Sequence, residues 1–525
     1  MMAGLYVTPA RGANIVVTNL YGRAVPAGAG QVFVRFDVNW DASWRASWTD
    51  AGGTSTNWDA AWIFVKYRPA GSDSGWSHAS LSTNNSDHFA PAGSTINVGL
   101  STNAGGTNFG AGVFLYRSGN GHGSWTNTGV KLCWRYNADG VATNARVDVS
   151  VHAIEMVYVP EGAFYVGSGG NENNHFYAGS ANVADTTTPY QVTNENYAIT
   201  VGTNIGQLYY ISNSISAGDV TGVISTSFPK GYSAFYCMKY EVSQGQYKDF
   251  LNSLTRAQQK TRVTKTNASH FAMAGYPTNG YDVKGSTVYR NGVCTSSDVP
   301  AGVITFGCDF NTNGVFDEAT DGQTLGCNWL NWADGAAYAD WAGLRPITEL
   351  EFEKACRGPL SPVANEYAWG STSQTRQTNN VGTDGSGTET ADPSSANCNY
   401  NSGISGPVRV GIYATGSSSR RDAGASYWGI MEMSGNLWER TVMVGNSAGR
   451  VFTAVNGDGE LNDSGDADVS SWPGTDASGA GARGGNYAQT IDFLHVSDRV
   501  HGAGPSYRNY NLGWRAGRLA PGVNP

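Results

Sequence analysis

Gly429-Ile-Met-Glu-Met-Ser-Gly-Asn-Leu-Trp-Glu-Arg440 sets a glycine, an amide, a tryptophan and a carboxylate within five positions, Gly435 to Glu439. Glycine permits a sharp turn, the indole anchors that turn to a core, and the carboxylate with nearby backbone carbonyls can face a hard cation. The same pattern also describes a turn packed on a core with no ion. Further on, Arg483-Gly-Gly-Asn-Tyr487 and Gly513-Trp-Arg-Ala-Gly-Arg518 repeat the combination of glycine, aromatic and arginine.

Around these blocks the chain is loop-rich. It has 525 residues, enough for two or three domains, with 69 Gly, 16 Trp and 27 Tyr but only 14% charged residues. That mix predicts β structure with aromatic anchors rather than a helical bundle. A net charge of -9 and no basic run argue against nucleic acid as a partner. The seven cysteines are odd in number and form no C-x-x-C pair, which argues against zinc ribbons and thioredoxin-like sites. Disulfides among Cys294, Cys308 and Cys327 and buried free thiols both stay open. The first residues, Met1 to Pro9, lack the basic and apolar regions of a Sec signal, and no stretch is long enough to insert in a membrane. The expectation is synthesis in the cytoplasm and, for work outside the cell, release by another route.

Along the chain, Val32, Val34, Phe36, Val38 and Trp40 alternate with polar residues, and similar runs recur at 62–67, 113–116, 130–136 and 147–151. Short strands separated by turns predict an N-terminal antiparallel β-sandwich over 1–153. His78, His88 and His122 lie in polar surroundings and are expected to be solvated. Met156 to Gly167 predicts a hairpin turning at Pro160-Glu-Gly162, followed by a Gly/Asn/Thr-rich insertion over about 168–229. Helices are expected from Ser243, with Gln246 completing a capping box, over Trp332 to Trp341, and after Thr348, with Glu351 three places on. The class is α+β.

Met156-Val-Tyr-Val-Pro-Glu-Gly-Ala-Phe164, Tyr240 to Tyr247, Trp341 to Gly358, Tyr367-Ala-Trp-Gly370, Met433 to Glu439, Arg483-Gly-Gly485 and Gly513-Trp-Arg515 stand in one order. In these blocks the chain from Met156 to Arg518 resembles the formylglycine-generating enzyme (sulfatase-modifying factor) family. The resemblance implies a loop-rich variant of the C-type lectin fold over 154–525.

Enzymes of that family use copper held by two cysteines shortly after the Arg-Gly-Gly block. Here Asn486 to Arg499 contains no cysteine, and none follows Cys398. A soft copper site needs thiolates, so oxidase chemistry is not expected. His495 and His501 have no third ligand nearby in sequence, and no stretch reads as the extra helical domain of the iron-dependent sulfoxide synthases on this fold, so iron chemistry is not expected either. The resemblance also implies a structural calcium ion on the Glu432 and Glu439 side chains and the Gly435 and Leu437 carbonyls. A second family calcium site, near Asn397, lacks an acidic partner. Asp309, Asn311 and Asn313 begin a loop with oxygens at alternate places and Gly314 at the sixth, as in an EF-hand, although the twelfth-place glutamate is absent. Asn456-Gly-Asp-Gly-Glu460 is a weaker run of the same type. The cofactor expectation is structural calcium and no copper.

Binding is expected from Tyr487, Gln489, His495, His501, Tyr507, Asn509, Tyr510 and Asn511, aromatic and amide residues of the kind that make up paratopes. Variable proteins diversified by retroelements carry their changed codons in the same place, before a final Gly-(Phe/Trp)-Arg. The resulting expectation is a non-enzymatic recognition protein in a phage tail or contractile injection particle, with a protein or glycan on a target surface and other particle subunits as partners. The alternatives are an oxidoreductase of the family with an altered site and a purely structural subunit.

Overall fold

The computed structural model describes residues 15–20, 25–182, 185–210, 221–264, 272–273, 288–295, 302–504 and 506–523. Met1 to Pro9, part of the 168–229 insertion and Pro505 therefore lie outside the described residues. Strand exceeds helix among the described residues, in several sheets with short helices. Among the described residues no helix is long and apolar enough to cross a membrane.

Nine strands come first: β1 (Ile15–Thr18), β2 (Val25–Gly28), β3 (Gln31–Asp50), β4 (Gly53–Pro69), β5 (Ser77–His78), β6 (Ser94–Thr102), β7 (Asn108–Arg117), β8 (Gly121–Trp134) and β9 (Val147–Val159). All pair antiparallel, and the alternation read in β3 buries Val32, Val34, Phe36, Val38 and Trp40. Their hydrogen bonds run into the rest of the chain, because β9 pairs with β4 on one edge and with the strand Phe235–Met238 on the other. The result is one twelve-stranded sheet that continues through Phe235–Met238 and Ala516–Leu519 to Arg345–Pro346. The division expected at 153/154 falls inside β9.

Two expectations are corrected here. Met156 to Val159 ends β9, where it pairs with β4 and with Phe235–Met238, so it is not the first strand of a hairpin. After the Pro160-Glu-Gly162 turn, the strand Phe164–Val166 pairs with Tyr190–Val192 instead of folding back as a hairpin. His78 and His88 are buried, not solvated. His78 Nε2 meets the Ala111 carbonyl at 2.6 Å, and Cys133 N–H donates to His88 Nδ1 at 3.1 Å. His122 is exposed.

The helices start where their caps predict. Helix α1 (Gln244–Leu251) opens on a Ser243/Gln246 capping box. The sequence reading missed α2 (Arg256–Arg262), which opens on the same device, Thr255 with Gln258. α3 spans Trp332–Trp341, and α4 (Glu349–Arg357) starts at Thr348 with Glu351 at the third place. Capping satisfies N–H groups that would otherwise be buried without partners.

Aromatic and charged pairs tie the first nine strands to the remainder. Trp62 Nε1 donates to the Ala342 carbonyl at 2.7 Å, Trp48 Nε1 to Tyr427 Oη at 3.1 Å, and the Arg518 guanidinium covers the Trp62 ring at 4.4 Å. The Lys239 ammonium bridges Asp59 at 3.1 Å and Glu155 at 2.6 Å.

Candidate functional site

The Gly-Asn-Leu-Trp-Glu turn sits at the centre of the second half. Glu432, Gly435 and Asn436 all take left-handed backbone angles, with φ of 55°, 103° and 66°. Asn436 clamps the turn: its amide donates to Glu241 Oε2 at 2.5 Å, and Val408 N–H donates to its Oδ1 at 2.8 Å. Leu437 N–H donates to Glu241 Oε1 at 2.9 Å. Trp438 begins a strand, Trp438–Val442, paired with Ala480–Arg483 and with Leu512–Gly513. The three sequence blocks thus become one small sheet.

Three buried carboxylates, Glu241, Glu432 and Glu439, crowd this turn. Arg515 Nε donates to Glu439 Oε1 at 2.7 Å, and its other nitrogens donate to the Met238 and Met431 carbonyls, each at 2.7 Å. Glu432 Oε1 accepts Gly411 N–H at 2.8 Å. Glu432 Oε2 and Glu439 Oε2 are buried without a hydrogen-bond partner. Burial pushes the Glu432 carboxyl up to about 7, and burial with the neighbouring Glu439 and Glu432 charges pushes Glu241 well above the usual range. Glu432 and Glu439 thus each keep one oxygen unengaged beside Arg515, while among the described residues Glu241, Glu432 and Glu439 do not form a group with carboxylate oxygens within mutual ligand reach of one ion. Near Asn397 both amide atoms are engaged, with Thr375 N–H at 2.9 Å and the Arg421 carbonyl at 2.9 Å.

Copper does not fit. All seven thiols are buried and free, which resolves the disulfide alternatives. Burial raises every one of them, Cys237 and Cys294 to about 12. The segment Asn486 to Arg499, where the resemblance places the two copper-holding cysteines, contains none, so that thiolate pair is not there to bind a soft metal.

The residues expected to bind fall into three places. Tyr510 stacks on Tyr289 at 4.4 Å and meets Trp329 and Tyr487 at 6.1 and 6.3 Å. Asn328 Nδ2 bridges the Tyr289 and Tyr510 carbonyls at 2.9 and 2.8 Å, and Trp329 N–H donates to the Asn509 carbonyl at 3.1 Å. Tyr289 and Trp329 hold φ of 54° and 63°, strained angles for bulky residues. Tyr487, only 3% exposed, and Asn511 are buried. They support this aromatic group from below instead of facing solvent, because Tyr487 Oη bonds the Tyr510 carbonyl at 3.3 Å and Trp438 N–H bonds the Asn511 carbonyl at 3.0 Å. His501 packs edge-on to Trp438 at 4.6 Å, and Tyr507 is 49% exposed. His495 lies elsewhere, stacked on Tyr367 at 4.8 Å. Burial lowers both histidines, with Arg440 adding to the effect at His501. Gln489, Asn509 and Tyr510 are half-buried.

Asp309, Asn311 and Asn313 occupy one exposed-to-half-buried loop after the strand Phe306–Cys308. The Asn456 to Glu460 run gains partners that spacing could not reveal. Asp458 meets Asp340 of α3 and Asp468, one carboxylate oxygen from each lying within 4.8 Å of the others. Asp340 oxygens accept the N–H groups of Asp458 and Asp468 at 3.2 and 3.0 Å, and the buried Lys66 ammonium bonds the adjacent Gly459 carbonyl. Beside this cluster a cavity of about 240 Å³ is lined by Trp332, Trp472, Asp466 and Asp468 among others.

Comparison with known proteins finds the following. The hercynine oxygenase of Mycolicibacterium smegmatis is 34% identical over 113 residues, 21% of this chain and 20% of that protein. That of Mycobacterium tuberculosis is 31% identical over the same length, with the same coverage. The chain thus spans about a fifth of the length of the curated relatives it matches. Among solved structures, Treponema denticola variable protein 1 aligns with a TM-score of 0.29 and 13% identity, covering 70% of this chain and 96% of that one. The Major Tropism Determinant U1 Variant aligns with a TM-score of 0.22 and 15% identity, covering 70% and 75%. At such scores neither carries an argument. The model of the sulfatase-modifying factor enzyme 1-like domain matches residues 226–519. That is more than half of the chain, and the protein belongs to this family.

Proposed function

We propose that this chain is a non-enzymatic recognition protein that presents the loops between Tyr487 and Asn511 to a protein or glycan on a target surface. One observation carries the reading: the segment following Arg-Gly-Gly485 is clamped at its base and polar or aromatic at its tips. Arg499 Nε pairs with Glu349 Oε2 at 2.6 Å, and Arg483 Nη1 pairs with the same oxygen at 3.0 Å. Above that base Tyr507 is exposed and Gln489, His501, Asn509 and Tyr510 are half-exposed. A clamped base lowers the entropy lost on binding, and aromatic and amide tips supply area and adaptable hydrogen bonds. The burial of every thiol supports a role without the family's copper chemistry. The setting that suits such a chain is a phage tail or contractile injection particle, or a retroelement-diversified variable protein, with the first nine strands docking to other subunits. Structural calcium at Glu432 and Glu439 belongs to the same proposal.

The test is binding of the purified chain to printed arrays of glycans and surface proteins. Specific binding is expected, and Tyr507→Ala and His501→Ala should weaken it about tenfold with an unchanged melting temperature, as for contact side chains of moderate strength. Binding indifferent to both substitutions would make the chain a structural subunit. A second reading, an oxidoreductase of the same family with an altered centre, is favoured by the 113-residue match to hercynine oxygenases.

A further inference from the structure

Helix α3 and the segment from Asp466 to Thr475 line the cavity of about 240 Å³, which stands apart from the loops between Tyr487 and Asn511. Its lining divides by polarity. Trp332, Ala336 and Trp472 are buried, whereas Asp468, Ser470 and Thr475 are exposed, so an apolar floor meets an open polar rim. Each indole has a single donor, and both are spent: Trp332 Nε1 donates to the Pro473 carbonyl at 2.8 Å and Trp472 Nε1 to the Val455 carbonyl at 3.1 Å. The floor therefore offers ring and methyl surface without free hydrogen-bond donors, which suits the apolar body of a ligand.

The rim is negative. Asp468 belongs to the group in which one carboxylate oxygen each of Asp340, Asp458 and Asp468 lies within 4.8 Å of the others. Among the described residues the arginines of this region pair with neighbouring acids instead, Arg262 with Asp466 and Arg508 with Asp334, both at 2.6 Å. The Lys66 ammonium bonds the Gly459 carbonyl and not a carboxylate. Elsewhere the fold meets buried acids with arginine, as at Glu349 with Arg483 and Arg499 and at Glu351 with Arg345. Here burial and the charges of the neighbouring aspartates raise Asp340 and Asp468 above the usual carboxylate range.

Charge and shape together narrow the occupant. No lysine or arginine lines the cavity, so an anion finds no counter-charge. A bare metal ion would leave the tryptophan floor unused, and Asp340 already spends both oxygens on the Asp458 and Asp468 N–H groups, at 3.2 and 3.0 Å. We propose that this cavity binds a small primary amine, its ammonium group at Asp468 on the rim and its apolar body against Trp332 and Trp472. An ammonium has three protons to donate, and the Asp468 carboxylate with the Ser470 and Thr475 hydroxyls supplies acceptors for them. Its charge also relieves the repulsion among the three aspartates. The site is independent of the recognition loops, and either reading can fail without the other.

Calorimetric titration of the full chain with phenethylamine, and with phenethyl alcohol and hydrocinnamate as neutral and anionic counterparts of similar size, tests the assignment. The amine should bind saturably at one site, about tenfold or more tighter than either counterpart, as for a charge-assisted hydrogen bond. Asp468→Asn changes an exposed side chain; it should remove that preference for the amine, leave alcohol binding unchanged and keep the wild-type melting temperature. Asp458→Asn repeats the charge test should Asp468→Asn fail to fold. No saturable amine binding at millimolar concentration would overturn the proposal, as would equal affinity for amine and alcohol or an amine affinity indifferent to Asp468→Asn. Calcium binding that requires Asp468, with no amine binding, would overturn it in favour of a metal group.

Discussion

Burial sets the chemistry available to single side chains here. The seven thiols lie in apolar surroundings that disfavour the thiolate, so a disulfide reagent such as Ellman's should label none of them in the native chain at pH 7 and all seven after unfolding. Rapid labelling of even one native thiol would put a reactive cysteine back in play. Trp438 is fully buried where the Gly-Asn-Leu-Trp-Glu turn enters its strand. Trp438→Ala should cost about 3–5 kcal/mol, read from the shift in urea midpoint at constant slope. That anchor was legible from the sequence, because a tryptophan beside a glycine turn has few other uses. The Asp340, Asp458 and Asp468 group was not: Asp340 stands far from the other two in sequence, and only the fold brings one carboxylate oxygen of each within 4.8 Å of the others. Tyr487 and Asn511 also look like surface residues in sequence, and only the bonds to Tyr510 and Trp438 show them to be supports.

Elements with a local signal were read well. The caps at Ser243 and Thr348 start α1 and α4 at the predicted residues, because a hydroxyl followed three places later by Gln or Glu satisfies the first N–H groups wherever it occurs. Ser243→Ala should therefore destabilise the chain by about 1 kcal/mol, measured by chemical denaturation. A loss near zero would mean that tertiary packing alone holds α1. The helix after Thr255 carries the same signal without an apolar stripe, and was missed for that reason. Strand partners were the weaker part. Nothing local says that the strand Phe164–Val166 pairs with Tyr190–Val192, nor that β9 continues unbroken through Met156, since pairing depends on residues far away in sequence.

At the scale of the molecule, the single sheet running from β1 to Arg345–Pro346 joins what composition reads as two units. Its seam contains His152 and His78, both buried. Burial, with the Lys66 charge, pushes His152 down to about 3 from 6.5. A histidine depressed in the fold contributes stability that is complete above pH 6.5 and is lost as pH falls towards 3, because the unfolded chain takes a proton that the fold refuses. One such group adds a slope of about 1.4 kcal/mol per pH unit. The wild type should lose stability steadily over that window, and His152→Gln should flatten the profile; equal slopes would show that the seam opens to water. The family was legible because its blocks are short and local, whereas the function depends on what the family's cysteine segment has become. Oxygen uptake by the copper-loaded chain with a cysteine peptide, and by the iron-loaded chain with hercynine and a thiol, tests that point most directly. The account predicts uptake no greater than that of free metal in both; sustained turnover that scales with protein concentration would contradict it.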